Sequence, residues 1–302
     1  MTSFHRAPRQ VFTPILTPFG QSGGVDFKML EQAIHRQVVA GMDGIVVCDS
    51  VGEGQSLTQG ERDAILWSCV SRGRPHLSVI AATGTNCTRT TIEQCLRAQE
   101  LGADALLVTI PYYSKPTLKG VVDHFRQIAA SVSVPIIVDD DPGRTAIDHG
   151  AALLEGLSEF EIIAGVCHGA DRLTHFARLT HATRRRFLHL SRDDRMLLQF
   201  LELGGNGIVS PISNVIPSPV QTMVSMMENF LEPNHLLGCL AEALAAVGRD
   251  DVAALKEAAS FIHQYPADVR LPLVPAEPET VIRVRRALAP FARCEASGRI
   301  AA

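Results

Sequence analysis

The sequence predicts an α/β fold, a (β/α)8 TIM barrel followed by a C-terminal helical segment. Three observations lead there. Short apolar runs alternate with helix-period segments, and eight such β-then-α units fit into about 220 residues. The runs are continuously apolar, which implies parallel strands covered by helices. From about Pro233 onward the pattern is helical with no strand. Eight units are the signature of a closed barrel. A doubly wound sheet is the competitor, but no G-x-G-x-x-G follows the first run. The expected division is a tail at 1–10, the barrel at 11–230 and the helical segment at 231–302.

The first strand lies in VFTPILTPF (11–19), and a helix follows over about 27–40, with Asp26 as N-cap and Gly41 as its stop. GIVVCDS (44–50) is the second strand, after which Thr58 and Glu61 form a T-x-x-E capping box. LSVIAATG (77–84) is the third, and Thr90 with Glu93 repeats the box spacing before the third helix. ALLVTIPYY (105–113) is the fourth, with a helix over roughly 119–131. PIIVDDD (135–141), EIIAGVCH (161–168), FLHLS (187–191) and NGIVSPIS (206–213) complete the eight. SGRIAA at the end reads as frayed.

Composition narrows the function classes. Lys+Arg 28 against Asp+Glu 32 gives a net charge of −4, without the basic excess that nucleic-acid binding needs. With 46% apolar and 20% charged residues, a chain of 302 residues buries a full core unaided. No apolar run reaches the length of a membrane span, and MTSFHRAPRQ has no apolar stretch after its charges. The seven cysteines are scattered, with no C-x-x-C pair, and read as reduced thiols of a cytoplasmic protein. No cofactor and no metal are expected.

In such a barrel the functional groups sit at the C-terminal ends of strands and in the loops that follow. The pieces to search are therefore DSVGE (49–53), PYYSKP (111–116), 139–145, 167–169 and 191–194. In this order they resemble the dihydrodipicolinate synthase / N-acetylneuraminate lyase family. DSVGE stands where that family has G-T-T-G-E, and PYYSKP matches its P-Y-Y-x-K-P. DPGRT (141–145) matches the tail of Y-N-x-P-x-R-T, SRDD (191–194) resembles S-G-D-D, and GGNGIVSPISNVIP (204–217) resembles G-G-x-G-x-I-S-x-x-x-N. The resemblance runs from about Val11 to Leu288. It implies a barrel that holds an oxo acid, often pyruvate, as a Schiff base on a strand-6 lysine. A strand-5 tyrosine relays protons, turn amides hold the carboxylate, and an arginine meets the second substrate. It also implies a tetramer.

Both central residues depart from that pattern. The lysine position is Cys167 and the tyrosine position is Asp139. The chain has four lysines, Lys28, Lys115, Lys119 and Lys256, and none occupies the Schiff-base position, although imine chemistry needs an amine. Other parts persist. The resemblance carries substrate binding onto Ser50, Val51, Arg144 and Val209, and catalysis onto Tyr113, Asp139 and Cys167. Ser50 keeps a hydroxyl, and Val51 is expected to offer its backbone N–H. Arg144 keeps a guanidinium that can fork onto a carboxylate.

Each residue also has a plainer reading. Cys167 should face into the barrel, either as inert filler or as a thiolate activated by His168, if the strand ends before that residue. Asp139 could pair with Arg144, act as a general base, or recognise a cationic substrate. It could also join Asp141, Cys167 and His168 around a metal. Tyr112 and Tyr113 are either packing residues or an interface anchor with a site hydroxyl. The 204–207 glycine turn, the arginines at 184–186 and ATGTN (82–86) read as structural. The function expected is binding of a small carboxylate, oxo-acid-like metabolite without a Schiff base, with any lyase chemistry being lysine-free. The alternatives are a non-catalytic regulatory subunit that assembles with an intact paralogue, and an orthodox lyase using Lys115.

Overall fold

The computed structural model describes residues 9–228, 234–248 and 251–296. The expected boundary at 230/231 and the fraying of SGRIAA fall outside them. The strands are β1 (Gln10–Pro14), β2 (Gly44–Val47), β3 (Ser78–Ala82), β4 (Ala105–Thr109), β5 (Ile136–Asp140), β6 (Ile163–His168), β7 (Leu188–Ser191) and β8 (Gly207–Val209). They follow one another in sequence order around a closed barrel, as the alternating pattern predicts. The helices are α1 (Phe27–Val39), α2 (Gln59–Gly73), α3 (Thr88–Glu100), α4 (Leu118–Ala129), α5 (Pro142–Thr145), α6 (Ala151–Leu157) and α7 (Leu173–Arg178). They continue with α8 (His181–Arg186), α9 (Leu197–Glu202) and α10 (Pro217–Glu228), and then the C-terminal α11 (Asn234–Val247), α12 (Val252–His263) and α13 (Pro278–Ala296).

The contacts divide the chain into two compact units, one of residues 78–209 with the start of β1, the other of 11–77 with 210 onward. In the first, parallel strands pair in register from β3 to β8, with Val79, Leu106, Ile136, Val138 and Val166 wholly buried. Each such side chain contributes ~1.5–3 kcal/mol on leaving water. The β5–β6 register places Asp139 opposite Cys167 and Asp140 opposite His168, and β6–β7 places Cys167 opposite Leu190.

In the second unit, Asp26 caps α1 by accepting from the Met29 N–H at 3.0 Å, and the Thr58–Glu61 capping box is closed in both directions. Asn214 ties the chain after β8 to β1, accepting from the Leu16 N–H at 3.0 Å and donating to the Pro14 carbonyl at 2.8 Å. Lys256, assigned from sequence to the helical appendage, is fully buried. Its Nζ lies 2.6 Å from Glu53 Oε1 and 4.2 Å from the centre of the Phe19 ring.

Two element boundaries differ from expectation. The third helix starts at Thr88 behind Cys87, without the Thr90/Glu93 box. Thr91 Oγ1 accepts from the Thr85 N–H at 3.0 Å, which folds the preceding loop back, and the helix starts three residues early. Glu93 faces Arg89 instead. The fourth strand stops at Thr109, and beyond it Tyr113 and Lys115 take left-handed φ values of 69° and 46°. No helix among the described residues is long and apolar enough to cross a membrane.

Candidate functional site

Strand parity sorts the residues at the ends of β5, β6 and β7 into two sets. His168 packs between Phe176 of α7 and Phe200 of α9, so the even position faces the helices. Cys167, the neighbouring position on β6, and its register partners Asp139 and Leu190 then face the interior of the barrel. Arg192, one residue beyond β7, belongs to the same inner set. Its Nη1 donates to Asp139 Oδ1 at 3.0 Å, and the two side chains are 8% and 11% exposed. The guanidinium and carboxylate therefore span from β7 to β5 with the buried Cys167 on the strand between them.

This arrangement corrects three expectations. Asp139 pairs with Arg192, while Arg144 Nε sits 3.4 Å from Asp141 Oδ2 on the short helix α5. His168 remains in β6 to its last residue, so it faces away from Cys167 and does not activate it. The set Asp139, Asp141, Cys167 and His168 is split between the two faces and cannot converge on one ion.

On the helix-facing side lies a second polar cluster. Arg172 donates from Nη2 to Asp140 Oδ2 at 2.8 Å and from Nη1 to Asp148 Oδ2 at 2.7 Å. Burial pushes the Asp140 carboxyl up to about 6, against the pull of Arg172. His168 and His189 stack at 5.1 Å, with Nε2 of the first 2.8 Å from Nδ1 of the second. Burial drives His168 well below the ordinary imidazole range and His189 to about 4, so both rings are neutral.

The DSVGE turn belongs to the other unit. Cys48 and Glu53, at its two ends, have φ of 60° and 52°, a left-handed backbone that non-glycine residues adopt at a cost. A Cβ on Gly52 would lie 2.8 Å from the Ile15 carbonyl oxygen, so only glycine fits that close approach. Asp49 Oδ1 accepts from the N–H groups of both Val51 and Gly52 at 3.0 Å. The expectation that the Val51 N–H is available is thereby overturned. The related motif has glycine at this position, and the aspartate carboxylate caps the turn amides from within. Ser50 Oγ is buried and has no hydrogen-bond partner.

Tyr113 is 90% exposed and Tyr112 37% exposed, so the single chain does not bring the Tyr113 phenol to the buried Asp139 and Cys167. Val209 ends β8 and is buried. Sequence reasoning missed the parts played by Arg192, Asp49 and Asp140. The signal for the first two was present, since each replaces a glycine of the related motif with a charge.

The Dihydrodipicolinate synthetase family model matches residues 7–290. The chain is 31% identical over 286 residues to a 4-hydroxy-tetrahydrodipicolinate synthase of Nitrobacter hamburgensis, covering 93% of this chain and 95% of that one. It is 35% identical over 211 residues to the enzyme of that name from Chlorobium phaeovibrioides, covering 70% and 71%. Among solved structures, a dihydrodipicolinate synthase of Thermotoga maritima superposes with a TM-score of 0.90 at 26% identity, over 94% of this chain and 99% of that one. A chloride-inhibited dihydrodipicolinate synthase of Acinetobacter baumannii complexed with pyruvate superposes with a TM-score of 0.86 at 28% identity, over 93% and 98%.

Proposed function

This chain belongs to the dihydrodipicolinate synthetase family, and from that premise we propose that it binds a small carboxylate-bearing metabolite of the oxo-acid class without forming a lysine Schiff base. The Asp139–Arg192 ion pair carries the reading. It supplies a fixed guanidinium on the inner face, next to Cys167, where the resemblance implies an amine. A guanidinium stays protonated and is no nucleophile, but its fork matches a carboxylate. Ser50, with its unpaired hydroxyl, and Arg144 and Val209, by their match to the family motifs, are the further binding residues of this proposal. The ligand class is supported by the pyruvate complex of the Acinetobacter baumannii relative. Asp139 and Tyr113 are the groups through which lysine-free chemistry would run, and that step requires the pair with Arg192 to open and Tyr113 to reach the interior.

Asp49 favours a second reading, a non-catalytic subunit that assembles with an intact paralogue, because its carboxylate occupies amides that the resemblance assigns to the substrate. Calorimetric titration with pyruvate and a panel of small oxo acids separates the two. Saturable, reversible binding that weakens in Arg144→Ala supports the first, by about 1.5–3 kcal/mol for a hydrogen bond to a charged group. No heat with any member of the panel leaves the second. We place the protein in the cytoplasm as a homotetramer. Tyr112 is the proposed contact, and light scattering that reports a monomer at micromolar concentration contradicts it.

A further inference from the structure

We propose that Asp140, His168 and His175, on the helix-facing side of β5 and β6, form a binding site for a divalent transition-metal ion of the zinc class. The inference is independent of the inner-face reading above. One ligand atom from each residue lies within 4.8 Å of the others, the one such grouping found among the described residues. The three come from different elements, since Asp140 ends β5, His168 ends β6 and His175 lies on α7.

Hydrogen bonding decides which nitrogen of His168 is an acceptor. His189 Nε2 lies 3.4 Å from the Thr183 carbonyl oxygen, which can only accept, so that nitrogen carries the ring proton. His189 Nδ1 is then an acceptor, and His168 Nε2, at 2.8 Å, must donate to it. In the neutral His168 ring this leaves Nδ1 as a bare lone pair. The residue is 1% exposed, and its Nδ1 is buried without a hydrogen-bond partner. A buried imidazole lone pair costs free energy unless something electrophilic meets it. A metal ion is such a partner. The relay through His189 to a backbone carbonyl is the kind of outer support that orients a ligating histidine.

Charge points the same way. Asp140 and Asp148 share the single Arg172 guanidinium, so with neutral histidines the cluster carries a net charge of −1. Arg172 engages Asp140 Oδ2 and leaves that carboxylate a second oxygen for a cation. Two imidazole nitrogens with one carboxylate suit zinc and its neighbours, whereas magnesium and calcium take oxygen ligands. Tetrahedral coordination at ~2.1 Å sets ligand atoms ~3.4 Å apart, so the cluster must contract by roughly an ångström. His175 is half-buried on a six-residue helix and is the member best placed to swing inward.

Full-length protein stripped with a chelator and titrated with Zn2+, then with Co2+, tests the site. Metal analysis after dialysis should give one ion per chain, and Co2+ should develop the visible absorption of a nitrogen-and-oxygen site. His175→Ala, at a half-buried position, should weaken binding at least about tenfold and abolish the Co2+ band. Asp140→Asn, which keeps the shape and removes the charge, should weaken it as well. Stoichiometry well below one ion, or binding by His175→Ala equal to that of the parent, overturns the proposal. The second outcome also identifies an adventitious thiol or surface-histidine site.

Discussion

Arg192 occupies the glycine position of S-G-D-D, and Asp139 the tyrosine position of Y-N-x-P, and the two substitutions answer each other through one ion pair. Neither is intelligible alone. Cys167 and Asp139 are legible in the sequence as departures. Their consequence is not, because it depends on β7 reaching past β6 with matching parity. Removing Arg192 should leave a buried, unpaired carboxylate and cost ~3–5 kcal/mol. The double variant Arg192→Gly with Asp139→Tyr should recover most of that loss, since no charge is left behind. Urea unfolding of the singles and the double reads the coupling, and purely additive losses would show that the pair is not formed. At the DSVGE turn, Asp49→Gly should release two amides. Calorimetry with pyruvate should then show a gain of roughly tenfold or more, the equivalent of ~1.5–3 kcal/mol for hydrogen bonds to a carboxylate. An unchanged affinity would mean that those amides take no part in ligand binding.

Elements were more legible than residues. Seven of the eight strands lie within their apolar runs and β1 starts one residue ahead of its own, because continuous burial writes itself into consecutive side chains. The start of α3 was not legible, since a Thr85–Thr91 hydrogen bond outcompetes a box that is equally well spelled in the sequence. Thr58→Ala should therefore cost ~1 kcal/mol and Thr90→Ala much less, which thermal melts can compare. The helix α4 carries a pH-dependent contribution. His124 is buried, donates or accepts at 2.9 Å with Thr88, and burial holds its ring down to about 4. The folded state thus binds fewer protons than the unfolded state between about 4 and the ordinary value of 6.5. Stability from this group is complete above the upper value and is lost as pH falls through the lower one. At most ~3 kcal/mol is at stake, at ~1.36 kcal/mol per pH unit. His124→Gln should flatten that part of the stability–pH curve, and a curve unchanged by the substitution would assign the acid loss elsewhere.

At the scale of the whole molecule, the closed barrel and the family follow from the order of motifs along the chain. Lys256 is locked to Glu53 at 2.6 Å, Lys119 sits 2.6 Å from Asp123 on the surface of α4, and Lys28 and Lys115 are exposed. None occupies the position of Cys167. The direct measurement is incubation with pyruvate and borohydride followed by intact-mass spectrometry. The triple variant Cys167→Lys, Asp139→Tyr, Arg192→Gly serves as the comparison, since it restores the amine and removes both neighbouring charges. The account predicts one reduced pyruvate adduct per chain on the triple variant and none on the natural protein. A stoichiometric adduct on the natural protein, mapped to Lys115 or any other lysine, would contradict it.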